Sequence, residues 1–365
     1  MRAILWLAGC ARLVRLAGMD PLSQFIVGGV AGAAFSLPLL RKIRGAAATA
    51  NAAPAVGASI LCAGFAAMAP DLDIFIRSAD YPLLALKYHR HFTHALPMAP
   101  LLALLLWLPL WLLFRPFGLD KARVLLLALL GVATHGALDA MTNYGTHLLW
   151  PFTNARVSWN IISIIDPVFT LTLVLAAIIA AVKNSRRPLL LACVFMLGYW
   201  SLGIYQRSAA EAEMLQLADS RGHTVERHQV KPSFGNLLLW RAQYESDGRI
   251  YTDAVNVTPL RTPKVYEGTS TPLLVADDSW LQRLPQPLQQ DARDFIFFSD
   301  GWVSPVGTTG TIIGDMRFAA LPNAPGPMWA LQLDKLTATG HGAFVFFPRT
   351  QPGDWRRFGD MLLGK

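Results

Sequence analysis

Four long stretches without a charged residue constrain this chain more than any other feature. They are 22–40, 46–69, 96–114 and 188–206. A helix of about 20 apolar residues spans the hydrocarbon core of a bilayer, and each stretch approaches or exceeds that length. Each therefore predicts a transmembrane helix.

Two further stretches, 124–141 and 161–182, are apolar apart from three ionisable residues. His135 and Asp139 lie in the first, and Asp166 lies near the start of the second. An ionisable group inside a bilayer is costly, so one that occurs there often has a function. We therefore predict a polytopic α-helical membrane domain of about six spans.

Basic residues are in excess only in this apolar half. Up to Gln206 the chain has 16 Lys and Arg against 7 Asp and Glu, whereas the remainder has 16 against 17. The basic residues are dispersed over several loops, whereas a nucleic-acid-binding protein more often gathers them on one face or tail. We therefore expect the lipid bilayer as partner and exclude nucleic acid. The three cysteines all lie in apolar stretches and indicate neither a disulfide framework nor a thiolate metal site.

The loops also predict an orientation. Three loops carry three Lys or Arg residues each, at 41–44, 115–123 and 183–187, and with six spans all three fall on one side of the membrane. Such residues are retained on the cytoplasmic side. The opposite, periplasmic side then receives 70–95, 143–160 and the C-terminal tail. The predicted location is the bacterial inner membrane, with a multi-pass chain.

The chain after Gln206 has the composition of a soluble domain. A polar stretch at 211–220 favours a helix, and Asp247-Gly248 between two apolar runs favours a hairpin turn. Short apolar runs separated by Gly, Pro and Asn predict strands. These runs are 236–244, 249–257, 294–299, 311–318, 328–333 and 343–347.

These patterns predict three parts. The first, 1–18, is an N-terminal extension without an assigned role, since Met19 is an alternative start. The second, 19–206, is the transmembrane domain. The third, 207–365, is a soluble, strand-rich α+β domain that we expect in the periplasm.

Three short motifs at the predicted periplasmic face carry residues that bind divalent metals. They are Asp71 with Asp73, His89 with His94, and His135 with Asp139. Carboxylates offer hard oxygen ligands, and imidazole suits zinc, iron or manganese. The last pair is four residues apart on a helix, so both side chains project from one face. Because the orientation was derived without these residues, their position at one face indicates a shared site.

Each of these features also has a structural interpretation. The first Asp pair can cap a helix end, and His135 and Asp139 can form a buried hydrogen-bonded pair. Asp166, which is followed by Pro, suits a helix N-cap. His91 and His147 lie on loops, where a histidine is more often simply exposed. We rank these last three residues below the six metal-ligand candidates.

A series of ordered motifs gives the chain a family resemblance. The motifs are Met19-Asp20-Pro21-Leu22, Pro70-Asp71-Leu72-Asp73, His89-Arg90, Thr93-His94, Thr134-His135, Leu138-Asp139, Tyr144-Gly145-Thr146, Leu149-Trp150-Pro151-Phe152, Ile165-Asp166-Pro167, Leu239-Trp240-Arg241 and Asp315-Met316-Arg317. With them, the chain from Met19 to its C-terminus resembles the YdjM-like family of LexA-regulated, membrane-bound metal-dependent hydrolases. Gln24 stands where many members have His, and His91 where they usually have Gly.

The resemblance implies hydrolysis assisted by a metal, but it implies no substrate. We expect one or two divalent ions, zinc first with manganese or iron as alternatives, which would lower the pKa of bound water. Asp73 or Asp139 would act as general base, and Arg90 would stabilise anionic charge. Arg90 and Arg156 are equally suited to anchor lipid headgroups.

A site at the membrane face is accessible to amphiphiles, so we expect a phosphoester or lipid-linked substrate. One alternative is a non-enzymatic membrane protein that uses the same residues for structural metal binding or metal handling. Another is a proton relay in a transporter. We disfavour the relay because no charged residue marks the middle or the cytoplasmic half of a span. The sequence does not set the oligomeric state.

Overall fold

The computed structural model describes residues 21–44, 56–275, 277–308, 310–347 and 350–365. The predicted extension at 1–18 lies outside these residues. The chain divides into two compact units. The membrane unit contains the described residues up to Phe75 together with Tyr88–Leu202, and the tail unit contains Ile76–Lys87 and Gly203–Lys365. The boundary at 202/203 is four residues before the predicted one, and it assigns an internal loop to the tail unit.

Long helices form the membrane unit. They are α1 (Pro21–Arg44), α2 (Val56–Met68), α4 (Ala99–Phe114), α5 (Lys121–Met141), α6 (Pro167–Val182) and the first part of α7 (Arg187–Ser220), with the short α3 (Leu84–Tyr88) between α2 and α4. A 3₁₀ segment, Ala69–Phe75, extends α2, and another, Phe92–His94, precedes α4.

Four segments of the described chain are long and apolar enough to cross a membrane: Val56–Phe75, Leu96–Phe117, Lys121–Met141 and Arg187–Ser220. The other two predicted spans correspond to shorter apolar helices, Pro21–Ser36 and Pro167–Val182. Four segments thus agree with the prediction of helical membrane spans. The predicted number of six spans is not confirmed. The helix in the predicted stretch 161–182 is shorter than the stretch, because Asp166 caps α6 and the helix begins only at Pro167.

Small residues let α1, α2 and α5 approach closely. A Cβ added at Gly28 would lie 2.3 Å from Ala67 Cβ, and one added at Gly32 would lie 2.4 Å from Ala63 Cβ. A Cβ added at Gly131 would lie 2.3 Å from the carbonyl oxygen of Ala63. Close packing through small residues is how helices associate in lipid, where burial of apolar surface gives little driving force. This packing fixes the end of α2 beside the last two turns of α5.

Helix α7 continues through the predicted span end at Gln206 to Ser220, so the expected polar helix at 211–220 is its C-terminal part. The tail unit then forms two four-stranded antiparallel sheets in strand orders β1-β2-β3-β4 and β5-β6-β7-β8. The strands are Arg227–Pro232, Leu239–Ser246, Arg249–Asn256, Lys264–Pro272, Val303–Val306, Ile312–Asp315, Trp329–Leu336 and Gly342–Phe346. The prediction of a strand-rich region is confirmed.

The β2–β3 turn and the run at 294–299 had different outcomes. Ser246 pairs with Arg249, and Asp247 and Gly248 have φ values of 49° and 66°, so the predicted hairpin is confirmed. The run 294–299 was predicted as a strand, which is wrong, because it ends the helix Gln286–Phe298. Leu288, Ala292 and Phe295 are buried on one helical face, so the periodicity is that of a helix once the residues before 294 are included.

The remaining helices of the tail unit are α8 (Asp278–Gln282), α9 (Gln286–Phe298) and α10 (Asp354–Leu362). The loop Ile76–Lys87 contacts α9 and the β7–β8 connection. The Tyr81 hydroxyl donates to Asp294, whose carboxylate also lies 3.2 Å from Lys87 Nζ. The Thr339 hydroxyl donates to the Asp80 carbonyl over 2.6 Å.

Candidate metal centre

Three segments of the membrane unit bring the predicted His and Asp ligands together. The 3₁₀ segment after α2 carries Asp71, and the one before α4 ends at His94. His135 and Asp139 lie one turn apart on α5. Gly136 lets the His94 segment approach α5, since a Cβ there would lie 2.0 Å from the His94 carbonyl oxygen.

Two imidazole nitrogens lie at similar distances from the same two carboxylate oxygens. His94 Nε2 lies 3.4 Å from Asp71 Oδ1 and 3.4 Å from Asp139 Oδ2. His135 Nε2 lies 3.5 Å from each of the same two oxygens. Ligands about 2.1 Å from a tetrahedral zinc ion are separated by roughly 3.4 Å. The spacing therefore fits one divalent ion held by two carboxylates and two imidazoles.

The buried ligand atoms also lack hydrogen bonds. His94 Nε2, His135 Nε2, Asp139 Oδ2 and the neighbouring His89 Nε2 are buried, and none has a hydrogen-bond partner among the described residues. An unsatisfied buried polar atom is costly and rare. Four such atoms in one place are accounted for if they coordinate a cation. Two groups of three candidate ligands have suitable spacing. His94, His135 and Asp139 form one, and Asp71, His89 and His94 form the other, so His89 is a further candidate ligand.

The other imidazole nitrogens are held by acceptors. His135 Nδ1 donates to the Ala67 carbonyl over 2.5 Å. His89 Nδ1 donates to Asp73 Oδ1 over 2.7 Å, and His94 Nδ1 lies 3.3 Å from Asp73 Oδ2. Such contacts fix the tautomer, leaving Nε2 available for a metal, and are typical of histidine ligands.

Asp73 lies behind the histidines. Besides its bond to His89, it accepts from the Arg90 backbone N–H at 3.2 Å and from the Thr93 hydroxyl at 2.8 Å. Both of its oxygens are thus hydrogen-bonded, and it is absent from the two candidate ligand groups of the described chain. The sequence predicts Asp73 as a metal ligand and a candidate general base, whereas these contacts match a residue that orients His89 and His94.

Arg90 is a buried cation beside Asp139. Its Nε lies 3.3 Å from Asp139 Oδ2, and its Nη1 donates to the Thr142 hydroxyl over 3.0 Å. The guanidinium carbon lies 4.8 Å from the centre of the Tyr144 ring. Arg90 Nη2 is buried without a hydrogen-bond partner in the described part of the chain. Arg90 can therefore offset the charge of the Asp139 carboxylate and still donate to an anionic group.

Sequence reasoning missed the role of Gln24. Its side-chain amide on α1 donates to Asp139 Oδ1 over 2.8 Å, so it orients a ligand and is not one itself. The available signal was the pair Ser23 and Gln24 in an otherwise apolar stretch. Ser23 Oγ lies 2.5 Å from Thr170 Oγ1 on α6, so the polar pair of α1 connects to two other helices.

The lower-ranked residues lie outside the two ligand groups. Asp166 accepts from the Phe169 N–H and caps α6, which confirms the N-cap interpretation. The His91 and His147 rings lie 4.5 Å apart and contact each other. Arg156 donates to the Tyr144 carbonyl over 2.7 Å, next to the loop that bears Gly145.

Access to the centre is asymmetric. The Asp71 side chain is 25% exposed, whereas those of His94, His135 and Asp139 are at most 1% exposed. Asp71 therefore lies where the centre meets its surroundings. The three others lie in the packed interior, where the low polarity strengthens their interaction with a cation.

Apolar helices of spanning length around a buried His/Asp group define a membrane protein with a candidate metal centre. Residues 19–210 match the family model described as YdjM inner membrane protein. The match covers more than half of the chain, which therefore belongs to this family, as the ordered motifs predict. It ends at residue 210, so the two tail motifs of the predicted resemblance lie beyond it. No curated protein sequence and no solved structure matches the chain.

Proposed function

We propose that this protein is a membrane-bound metal-dependent hydrolase. Asp71, His94, His135 and Asp139 hold a divalent ion, and the substrate is a phosphoester or lipid-linked amphiphile. The observation that carries the proposal is the convergence of His94 Nε2, His135 Nε2 and Asp139 Oδ2, which are buried without a hydrogen bond from the described residues, with the partly exposed Asp71 carboxylate.

A bound divalent ion polarises a phosphoryl or carbonyl oxygen and supplies hydroxide near neutral pH. The protein contributes the rest. Arg90 Nη2 is positioned to donate to an anionic substrate group, which favours a phosphoester over a neutral ester. Asp73 has both oxygens hydrogen-bonded, whereas Asp139 Oδ2 accepts no hydrogen bond among the described residues. Asp139 Oδ2 is, however, the atom that would hold the ion, and Asp139 Oδ1 accepts from Gln24, so the geometry favours neither Asp73 nor Asp139 as general base.

The membrane setting supports an amphiphilic substrate. The ligand motifs lie at the ends of apolar segments, where a headgroup can enter while its chains stay in lipid. The excess of Lys and Arg in three loops at the opposite ends of these segments favours a periplasmic location for the centre and for the tail unit.

The test combines metal content with turnover. Purified wild type, Asp71→Ala and His135→Ala are analysed for bound metal and assayed against lipid phosphoesters and water-soluble phosphoesters. We expect one equivalent or more of metal and turnover of the lipid substrates in wild type only. His91→Ala is the matched control, because His91 is two residues from a ligand and contacts His147 instead. Equal turnover by wild type and by both ligand variants would contradict the proposal.

A closed four-ligand set favours a second candidate function, structural metal binding, since structural zinc sites are typically four-coordinate. Chelation separates the two. A structural ion resists removal, and its loss lowers the unfolding temperature without any turnover to restore. A catalytic ion is removable with loss of turnover, and reloading restores it. Free exchange with no turnover in either state would instead indicate metal handling.

A further inference from the structure

One end of the first sheet of the tail unit exposes large apolar side chains. Phe234, in the β1–β2 loop, is 55% exposed, and Trp355, at the start of α10, is 63% exposed. Leu260, in the loop after β3, is fully exposed. Single exposed apolar residues are ordinary, so the question is whether these three residues, here called the apolar end, form one surface.

Hydrogen bonds hold the three segments together. The Val257 N–H donates to the Leu238 carbonyl over 2.7 Å and joins the two loops. Asn256 Nδ2 donates to the Met361 and Leu362 carbonyls over 2.8 and 2.9 Å and ties α10 to the end of β3. The Phe234 and Trp355 rings lie 6.3 Å apart. The β1–β2 loop, the loop after β3 and α10 therefore meet at one end of the first sheet, with Phe234 beside Trp355 and Leu260 on the adjoining loop.

The apolar end lies at the level where α7 stops being apolar. Gln206 Nε2 donates to the Val257 carbonyl over 2.9 Å, and Val257 begins the loop that carries Leu260. Gln206 is the last residue of the uncharged stretch 188–206, and Arg207 and Glu211 follow it. Where α7 crosses a bilayer, this transition marks the headgroup region.

Basic residues surround the apolar side chains. Arg261, Lys264, Arg356 and Arg357 are exposed, and the loop 257–264 contains no acidic residue. Trp and Leu beside Arg and Lys are typical of surfaces that enter the interface of an anionic bilayer.

The backbone conformation of Leu260 is also unusual for an exposed apolar residue. Its φ is 63°, in the left-handed region that favours Gly or Asn over a bulky apolar residue. A turn that required only this conformation would be served better by glycine. A bulky apolar residue in this conformation is locally strained, and such strain is typical of functional positions.

We propose that the apolar end of the tail unit inserts into the headgroup region of an anionic lipid bilayer, with Leu260 and Trp355 as anchors. This contact would hold the first sheet against the membrane surface at the exit of α7. The proposal does not depend on the metal centre or on hydrolysis.

Site-directed spin labelling of the full chain tests it. The three native cysteines are replaced, one label is introduced by Leu260→Cys and another by Asp247→Cys, and the protein is reconstituted in vesicles of phosphatidylethanolamine and phosphatidylglycerol. Asp247 is the matched control, because the β2–β3 turn is exposed at the opposite end of the same strands. Relaxation by oxygen, which partitions into lipid, is compared with relaxation by a water-soluble nickel complex.

We expect a several-fold higher ratio of oxygen to nickel accessibility at position 260 than at position 247. Equal, water-like ratios at both positions would overturn the proposal. A label at 260 that is shielded from both reagents would also overturn it, because a second protein copy would then cover the surface. Arg356→Glu with Arg357→Glu should lower the ratio at position 260 in anionic vesicles. An unchanged ratio would contradict the proposed role of anionic lipid.

Discussion

Gln24 donates a hydrogen bond to Asp139 Oδ1, over 2.8 Å, from a different helix. The same carboxylate directs Oδ2 toward His94 and His135 at 3.4 and 3.5 Å. One oxygen is thereby held by α1 while the other is left for a cation. Gln24 stands where the resemblance places His in many members, and its contact here is with the candidate ligand Asp139.

Gln24→Leu should weaken metal binding without unfolding the protein. Partners that orient a ligand typically account for 10-fold to 100-fold in metal affinity, so we expect zinc affinity to fall by about 10-fold or more. Competition with a chromogenic chelator measures it. Gln24→His is the matched control, because an imidazole N–H can replace the amide donor. If the Leu variant binds zinc as tightly as wild type, the hydrogen bond does not contribute.

Gly136→Ala should displace the His94 segment. Its Cβ would lie 2.0 Å from the His94 carbonyl oxygen, and backbone cannot yield as a side-chain end can. Overpacking of this kind costs about 1–3 kcal/mol, and we expect a lower unfolding temperature together with loss of bound zinc. Gly198→Ala on α7 is the control, because a Cβ there meets no described atom within 4 Å. Similar effects of the two substitutions would contradict the close-approach interpretation.

Residue type and spacing predicted the residues of the candidate metal centre because a divalent ion restricts the chemistry to a few side chains. His135 and Asp139, four apart on a helix, needed no tertiary information. The sequence could not separate Asp71, which points at the ligand group, from Asp73, which points behind it. That difference depends on the 3₁₀ turn at Ala69–Phe75, and alternate residues in such a turn have no fixed assignment to one face.

The fold was predictable where one interaction dominates. Long uncharged stretches predict helices, since lipid leaves the backbone few alternatives, and Asp247-Gly248 predicts a hairpin from local geometry. Predictions were wrong where tertiary contacts determine the secondary structure or the unit to which a segment belongs. Phe295 and Phe298 read as part of a short strand until the helical burial of Leu288 and Ala292 is known. No local signal assigned Ile76–Lys87 to the tail unit, because its contacts are with residues more than 200 positions away.

Asp294→Ala should loosen the segment that joins the two ligand-bearing turns. Asp71 and His94 lie on either side of Ile76–Lys87, and that segment is held to α9 by Tyr81 and Lys87 through Asp294. Without this contact the segment has more conformational freedom. A metal that fixes the two turns must then remove more conformational entropy. We expect a several-fold lower zinc affinity, measured by chelator competition.

Asp334→Ala is the control for that substitution, since Asp334 lies on β7 and accepts from the Thr311 hydroxyl over 2.8 Å. We expect it to bind zinc as wild type does. An Asp294→Ala chain with unchanged zinc affinity and a normal unfolding temperature would show that the loop contact does not influence the centre.

The stability of the tail unit should depend on pH through Asp315. Burial opposes ionisation of this carboxyl, but the Arg317 guanidinium, 2.8 Å away, outweighs it and holds the pKa of Asp315 below its usual range. A lowered folded-state pKa gives stability that is present above the unfolded-state pKa of about 3.9 and is lost as pH falls through the folded-state value. Fluorescence-monitored unfolding of the full chain should therefore show stability falling below about pH 4.

Asp315→Asn should cost about 3 kcal/mol or more at neutral pH, because it leaves Arg317 buried without its main partner, and should flatten the acid dependence. Asp247→Asn, in the exposed turn, should match wild type in both respects. An Asp315→Asn chain that keeps the acid dependence of wild type would assign that dependence to other carboxylates.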